Sequence, residues 1–168
     1  MSDTPEYQSA SGQPLSTGVP LAAYLAKATP QSFGIAHLLG MNIERSQDGI
    51  GLVRIQIDER LMHPQQMVHG GVIFTIADTA MSMAVLSMIP PGTPFGTIEA
   101  KINYMLPASA GELLAEGKLI HIGGSTAVVE ATVYNIVAEQ QRSIAKLLGT
   151  FYIKRKKAGV NGVNNAEK

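Results

Sequence analysis

Apolar positions along this chain follow more than one period. Between Gly51 and Asp58, Val53, Ile55 and Ile57 alternate with Leu52, Arg54, Gln56 and Asp58, the period of two that marks a half-buried strand. Met41 to Ser46 reads as a strand before it, joined by the turn Gln47-Asp48-Gly49. From Gly70 to Ile89 almost every position is apolar. That run is too long for a strand and predicts a central helix, ended by Pro90-Pro91-Gly92. Glu59 to Val68, with Pro64 inside it, reads as irregular. Four strands are predicted after the helix, over Thr97–Leu106, Glu112–Ile122, Ser125–Val137 and Arg142–Lys154. In the last, Ile144, Leu148 and Tyr152 share one parity and Ala145, Leu147, Phe151 and Ile153 the other, which predicts a strand covered on both faces. Two short helices are expected upstream, Leu21–Ala28 stopped by Thr29-Pro30 and Gln31–Leu39 ended by Gly40. One apolar helix with about six strands implies an α+β domain over residues 21–154, the helix lying on one face of an antiparallel sheet. Residues 1–20 and 155–168 read as flexible tails.

Composition narrows the class of function. The chain has 168 residues, enough for one domain with its own core. Thirteen basic residues balance thirteen acidic ones, against the basic excess of a nucleic-acid binder. The absence of cysteine excludes a disulfide framework, a cysteine zinc site and a cysteine nucleophile, and fits a cytoplasmic protein. The Ser/Pro/Gly/Thr-rich first twenty residues lack the apolar run of a signal peptide. Val72–Ile89 is at the lower length limit for a membrane span, but Thr75, Asp78, Thr79, Ser82 and Ser87 mark it as a buried central helix. No membrane association is expected.

The chemistry concentrates in His63-Pro-Gln-Gln-Met-Val-His69-Gly70-Gly71 and the helix that follows. Two glycines opening a helix leave its first N–H groups approachable, with the positive end of the helix dipole behind them. Such donors suit a carbonyl oxygen that becomes an oxyanion. The structural alternative is a tight turn packed closely on the sheet. Asp78 is the only charge from Gly70 to Ile89, so it must be paired, solvated in a cleft or functional. The alternative is a cap on a backbone group across an interface. Gly70 and Asp78 are eight residues apart, about 12 Å along one helix. A general base must approach to about 3 Å. Both groups can serve one substrate carbonyl only if they come from two antiparallel copies, which predicts an obligate dimer with two symmetric sites. His63 and His69 are the other titratable candidates, each equally readable as a structural hydrogen-bonder. With four His and no Cys, neither metal nor other cofactor is expected.

The stretch Val68-His69-Gly70-Gly71-Val72-Ile73-Phe74-Thr75-Ile76-Ala77-Asp78-Thr79-Ala80 resembles the helix motif of the hotdog-fold thioesterases, of the phenylacetate-degradation and 4-hydroxybenzoyl-CoA thioesterase type. Phe33–Gly40 with Met41-Asn42-Ile43 is similar to that family's opening segment, and Asn103-Tyr104-Met105-Leu106-Pro107-Ala108 to its strand end. The resemblance covers about Pro30 to Lys154. It implies a curved antiparallel sheet wrapped around the helix, a homodimer or dimer of dimers, and hydrolysis of an acyl-CoA. It further implies that the Gly70 N–H polarises the thioester carbonyl and that Asp78 of the partner chain acts as base or nucleophile. His69 would support the helix start, and Thr97 matches a hydroxyl on the strand after the helix. Gly71, Phe74, Met81 and Ser82, along the same helix, are the expected substrate contacts, although a methionine such as Met81 is more often core.

The chain departs from the family's pattern at three places. His63 stands where many members have Asn, and Gln66 where they have Gly. An imidazole can hydrogen-bond like the amide and can also titrate, which leaves pH profile and substrate class open. The family's Arg-rich turn is His121-Ile-Gly-Gly-Ser125 here, leaving the basic run Lys154–Lys157 as the alternative contact for CoA phosphates, or a solvated strand end. The rival readings are a non-catalytic acyl-CoA-binding module and a dehydratase of the same fold. The His/Glu arrangement of the latter is not found.

Overall fold

The computed structural model describes residues 34–154. The expected helix Leu21–Ala28, Phe33, both tails and the basic run beyond Lys154 lie outside these residues. A short helix α1 (Gly34–Leu38) leads through Gly40, at φ 64°, into β1 (Asn42–Gln47). Asp48 and Gly49, both at positive φ, turn the chain into β2 (Ile50–Gln56). The segment expected to be irregular is ordered instead. It forms one 3-10 turn, Glu59–Leu61, and a small hairpin of β3 (Met62–His63) and β4 (Met67–Val68). Helix α2 (Gly70–Leu86) follows, then β5 (Phe95–Tyr104), β6 (Glu112–Ile122), β7 (Thr126–Val137) and β8 (Gln140–Ile153).

Six strands form one sheet in the order β1-β2-β6-β7-β8-β5, every pairing antiparallel. Helix α2 packs against all six, so the sheet curls around it. This is the α+β layout expected, with β6 at its expected limits. Strand β8 corrects one expectation. Ala145, Leu147, Phe151 and Ile153 are buried beneath the helix, but Leu148 and Tyr152 are about half exposed on the outer face. Ile144 is buried despite its parity, next to a register shift after Val133. The strand is covered on one face within the chain.

Two glycines let the helix lie directly on the sheet. A Cβ at Gly51 would stand 2.1 Å from the Ala80 carbonyl oxygen, and one at Gly117 would stand 2.5 Å from the same atom. The helix answers with small residues of its own, Ala77, Ala80 and Ala84, all fully buried. Its far end is tied to the β1–β2 hairpin. The Ser46 hydroxyl donates to the Met83 carbonyl at 2.9 Å, and the Gly49 N–H donates to Ser87 Oγ at 2.9 Å. Ile55, Leu113, Leu119, Val129 and Phe151 fill the remaining core. Among the described residues, no helix is long and apolar enough to cross a membrane.

Candidate active site

The start of α2 is held by the loop before it. His63 O accepts the Gln66 N–H at 2.9 Å, closing a turn through Pro64 with Gln66 in the left-handed region at φ 59°. His63 Nδ1 accepts the Gln65 N–H at 3.1 Å. Strand β4 is anchored by Val68 N–H to Ala108 O, and the next residue by His69 N–H to Leu61 O, each at 2.8 Å. His69 then caps the helix, its Nδ1 accepting the Gly71 N–H at 2.9 Å. Because both imidazoles accept at Nδ1, each neutral ring carries its proton on Nε2. The two rings meet edge to face, centroids 6.5 Å apart.

These bonds leave one donor open. The His69 carbonyl takes the Val72 N–H at 2.9 Å, and its ring takes that of Gly71. The Gly70 N–H has no acceptor among the described residues. It sits at the positive end of the helix dipole, where an oxyanion is stabilised. A Cβ at Gly70 would stand 3.2 Å from Cζ and Oη of Tyr104, so a larger residue there would have to push that ring aside by a few tenths of an ångström. That tyrosine donates its hydroxyl to the Gly70 carbonyl at 2.9 Å, and burial pushes its pKa up. Tyr104 was visible in the sequence only as part of a strand-end motif. Its meeting with Gly70 depends on strand register, which no local signal reports.

Asp78 lies two turns further along the helix, on the one stripe the sheet leaves uncovered. Gly71 is exposed, and Phe74, Thr75, Asp78, Thr79 and Ser82 are half-buried on that stripe. Thr75 and Thr79 turn their hydroxyls back onto the helix, donating to Gly71 O at 2.7 Å and Thr75 O at 2.8 Å. The carboxylate of Asp78 accepts from Thr97 Oγ1 at 2.8 Å. A β-bulge makes that contact possible. The register of β5 on β8 slips between Thr97 and Glu99, so Ile98 has no opposite residue. Without the slip, Thr97 would share a face with Glu99, whose carboxylate accepts from Thr150 Oγ1 on the outer side. With it, Thr97 pairs with the buried Phe151 and faces the helix.

The expected residues therefore fall into two groups in one chain. His63, His69 and Gly70 stand at the helix start with Tyr104, and Asp78 stands with Thr97 about 12 Å away. Phe74, Ser82 and Gly71 lie on the open stripe between and beside them. Met81 departs from the expectation that it contacts substrate. It is fully buried beside β8, where a Cβ at Gly149 would touch its Cε at 3.2 Å. Among the described residues no cluster of His, Asp and Glu has the makings of a metal centre.

A single helix embraced by six antiparallel strands is the hotdog arrangement. The solved structure of the Escherichia coli PaaI protein of the phenylacetic acid degradation operon aligns with a TM-score of 0.69 at 25% identity, over 80% of this chain and 91% of that one. Among curated sequences, a provisional esterase of Halobacterium salinarum is 32% identical over 117 residues, 67% of this chain and 77% of the relative. The acyl-coenzyme A thioesterase PaaI of Escherichia coli is 28% identical over 125 residues, 74% of this chain and 85% of the relative. The profile of the Thioesterase superfamily matches residues 65–140, the span holding Gly70, Asp78, Thr97 and Tyr104. The chain belongs to the Thioesterase superfamily, and its activity is hydrolysis of thioesters.

Proposed function

We propose that the protein is an acyl-CoA thioesterase whose site is shared by two chains. The observation that carries this reading is the placement of both half-sites along β5, an edge strand with no neighbour beyond it among the described residues. Tyr104, at one end of β5, stands by Gly70, and Thr97, near the other end, stands by Asp78. Pairing β5 antiparallel with its own copy about a two-fold axis sets the Thr97 end of one chain against the Tyr104 end of the other. The partner's Asp78 then approaches the Gly70 N–H, which the 12 Å separation forbids within one chain. Exposed Ile98, on that edge, gives the pairing an apolar contribution.

In this site the thioester carbonyl oxygen accepts the Gly70 N–H. The partner's Asp78 either takes a proton from an attacking water or attacks the carbonyl carbon itself, held by its own Thr97. Negative charge gathers on the carbonyl oxygen, where the N–H and the helix dipole stabilise it. The C–S bond then breaks and CoA leaves as the thiol after protonation. The water route gives the free acid directly. The attack route gives an acyl anhydride on Asp78 that a water then hydrolyses to the acid, restoring the carboxylate. His63, whose ring lies edge to face with that of His69, orients the entrance to the site, and His69 holds the helix start. Gly71, Phe74 and Ser82 line the acyl path on the open stripe. The name of the Escherichia coli relative supports CoA as the thiol, and the cysteine-free chain supports a cytoplasmic setting.

The test is CoA thiol release from a panel of acyl-CoAs, with Asp78→Asn beside the wild type. Turnover by the wild type and its loss in a folded Asp78→Asn variant is the expected result. Undiminished turnover in the variant refutes the role of Asp78. Tight binding of acyl-CoA without turnover by the wild type refutes the enzyme and leaves a binding module.

A further inference from the structure

Helices that begin with two glycines fray, because glycine resists confinement to one backbone conformation. Catalysis by a single backbone N–H needs the opposite, a donor fixed before the charge develops. The structure holds the Gly70–Gly71 peptide from both sides. Its N–H is bound by His69 Nδ1 at 2.9 Å, and its C=O by the Tyr104 hydroxyl at 2.9 Å. The preceding peptide is held through the His69 carbonyl, which accepts the Val72 N–H at 2.9 Å. The two soft torsions of Gly70 thus lie between two anchored peptide planes. The half-exposed ring of Tyr104 lies on the side where a Gly70 Cβ would point.

We propose that Tyr104 is a positioning residue for the oxyanion donor: its hydroxyl, from the edge strand, and the His69 ring, from the helix cap, fix the Gly70–Gly71 peptide plane, and, with the preceding plane held at the His69 carbonyl, this restricts the Gly70 torsions and so the aim of its free N–H. Burial raises the Tyr104 pKa, which keeps the donated proton in place across the neutral range. Because Tyr104 is on the strand proposed to pair between chains, dimer formation and the aim of the donor share one element. The catalytic part of this inference rests on the thioesterase reading above.

Tyr104→Phe keeps the ring against Gly70 and removes only the hydroxyl. Releasing one glycine to a broader set of conformations loses preorganisation, so kcat should fall about tenfold with KM unchanged. Backbone ¹⁵N relaxation of the same variant should show the Gly70 amide order parameter dropping from about 0.85 to 0.6 or below, with the rest of α2 unaffected. A merely structural tyrosine lowers the melting temperature without this split. An unchanged kcat, a loss expressed in KM alone, or an unchanged Gly70 order parameter each overturns the proposal. If the wild type hydrolyses no acyl-CoA, the functional reading fails, and the relaxation measurement still decides whether Tyr104 clamps the peptide.

Discussion

Replacing Gly117 by alanine tests how the helix is seated. The added Cβ would stand 2.5 Å from both C and O of Ala80 and 2.7 Å from the Met81 N. Non-bonded carbon contacts are most favourable near 3.5–4.0 Å, so the overlap is about 1 Å. Every atom struck is helix backbone, so no side-chain rotamer can relieve it. The helix has to back away from β6 by about that distance. A gap of 0.5–1 Å forfeits roughly a quarter to a half of each dispersion contact it opens, on top of the usual 1–3 kcal/mol for overpacking. The expected loss is about 3 kcal/mol, read by urea denaturation followed by circular dichroism at constant m-value. It corresponds to a fall in melting temperature of roughly 10 °C. Gly96→Ala is the control, since nothing lies within 4 Å of its Cβ and its backbone is unstrained. Removing glycine's unfolded-state entropy there should be neutral or stabilising by up to about 1 kcal/mol. Gly51→Ala strikes the same Ala80 carbonyl, so combining it with Gly117→Ala should cost less than the sum of the two. A loss below about 1 kcal/mol for Gly117→Ala refutes direct backbone seating.

Three further outcomes follow from the site. Thr97→Val keeps the shape of the side chain and removes the donor to Asp78, and kcat should fall several-fold in steady-state assays with little change in melting temperature. Gln66→Gly relieves a left-handed residue at φ 59°, and chemical denaturation should show a gain of about 1 kcal/mol. Tyr104 has a folded pKa above that of the unfolded chain. Its share of stability is therefore complete below about pH 10 and declines as pH rises through the folded value. Tyr104→Phe should flatten the alkaline limb of a stability–pH profile, and an unaltered limb contradicts the assignment.

The apolar run from Gly70 to Ile89 announced the central helix, and alternation announced β2 with little error, because burial on one face leaves a regular signature. Gly70 and Asp78 were conspicuous for the same reason: one begins that run and the other interrupts it. The bulge at Ile98 left no such mark. By strict alternation from Ala100 and Ile102, Thr97 belongs on the outer face, and only the resemblance to relatives brought it to attention. Strand β8 misled in the other direction. Leu148 and Tyr152 are apolar but uncovered within the chain, and hydrophobicity alone does not say whether the cover is intramolecular. The hairpin of β3 and β4 was hidden because Gln66 adopts a conformation usually signalled by glycine.

The strand order also bears on how the protein is made. Helix α2 is complete at Leu86, yet β6, β7 and β8, which form much of its cover, end only at Ile153. At about 5–20 residues per second, a ribosome needs roughly 3–13 s to extrude that remainder. For that interval the run of Ile, Ala, Met and Val has only β1, β2 and, later, β5 to cover it, and the faces that β6, β7 and β8 will occupy stay bare. β6, β7 and β8 form a contiguous meander of local hairpins, able to assemble quickly once synthesised. Its closure onto β2 and β5 must bridge long stretches of chain, the slow kind of step. Expression yield should therefore respond to translation speed and to chaperones that hold extended apolar segments.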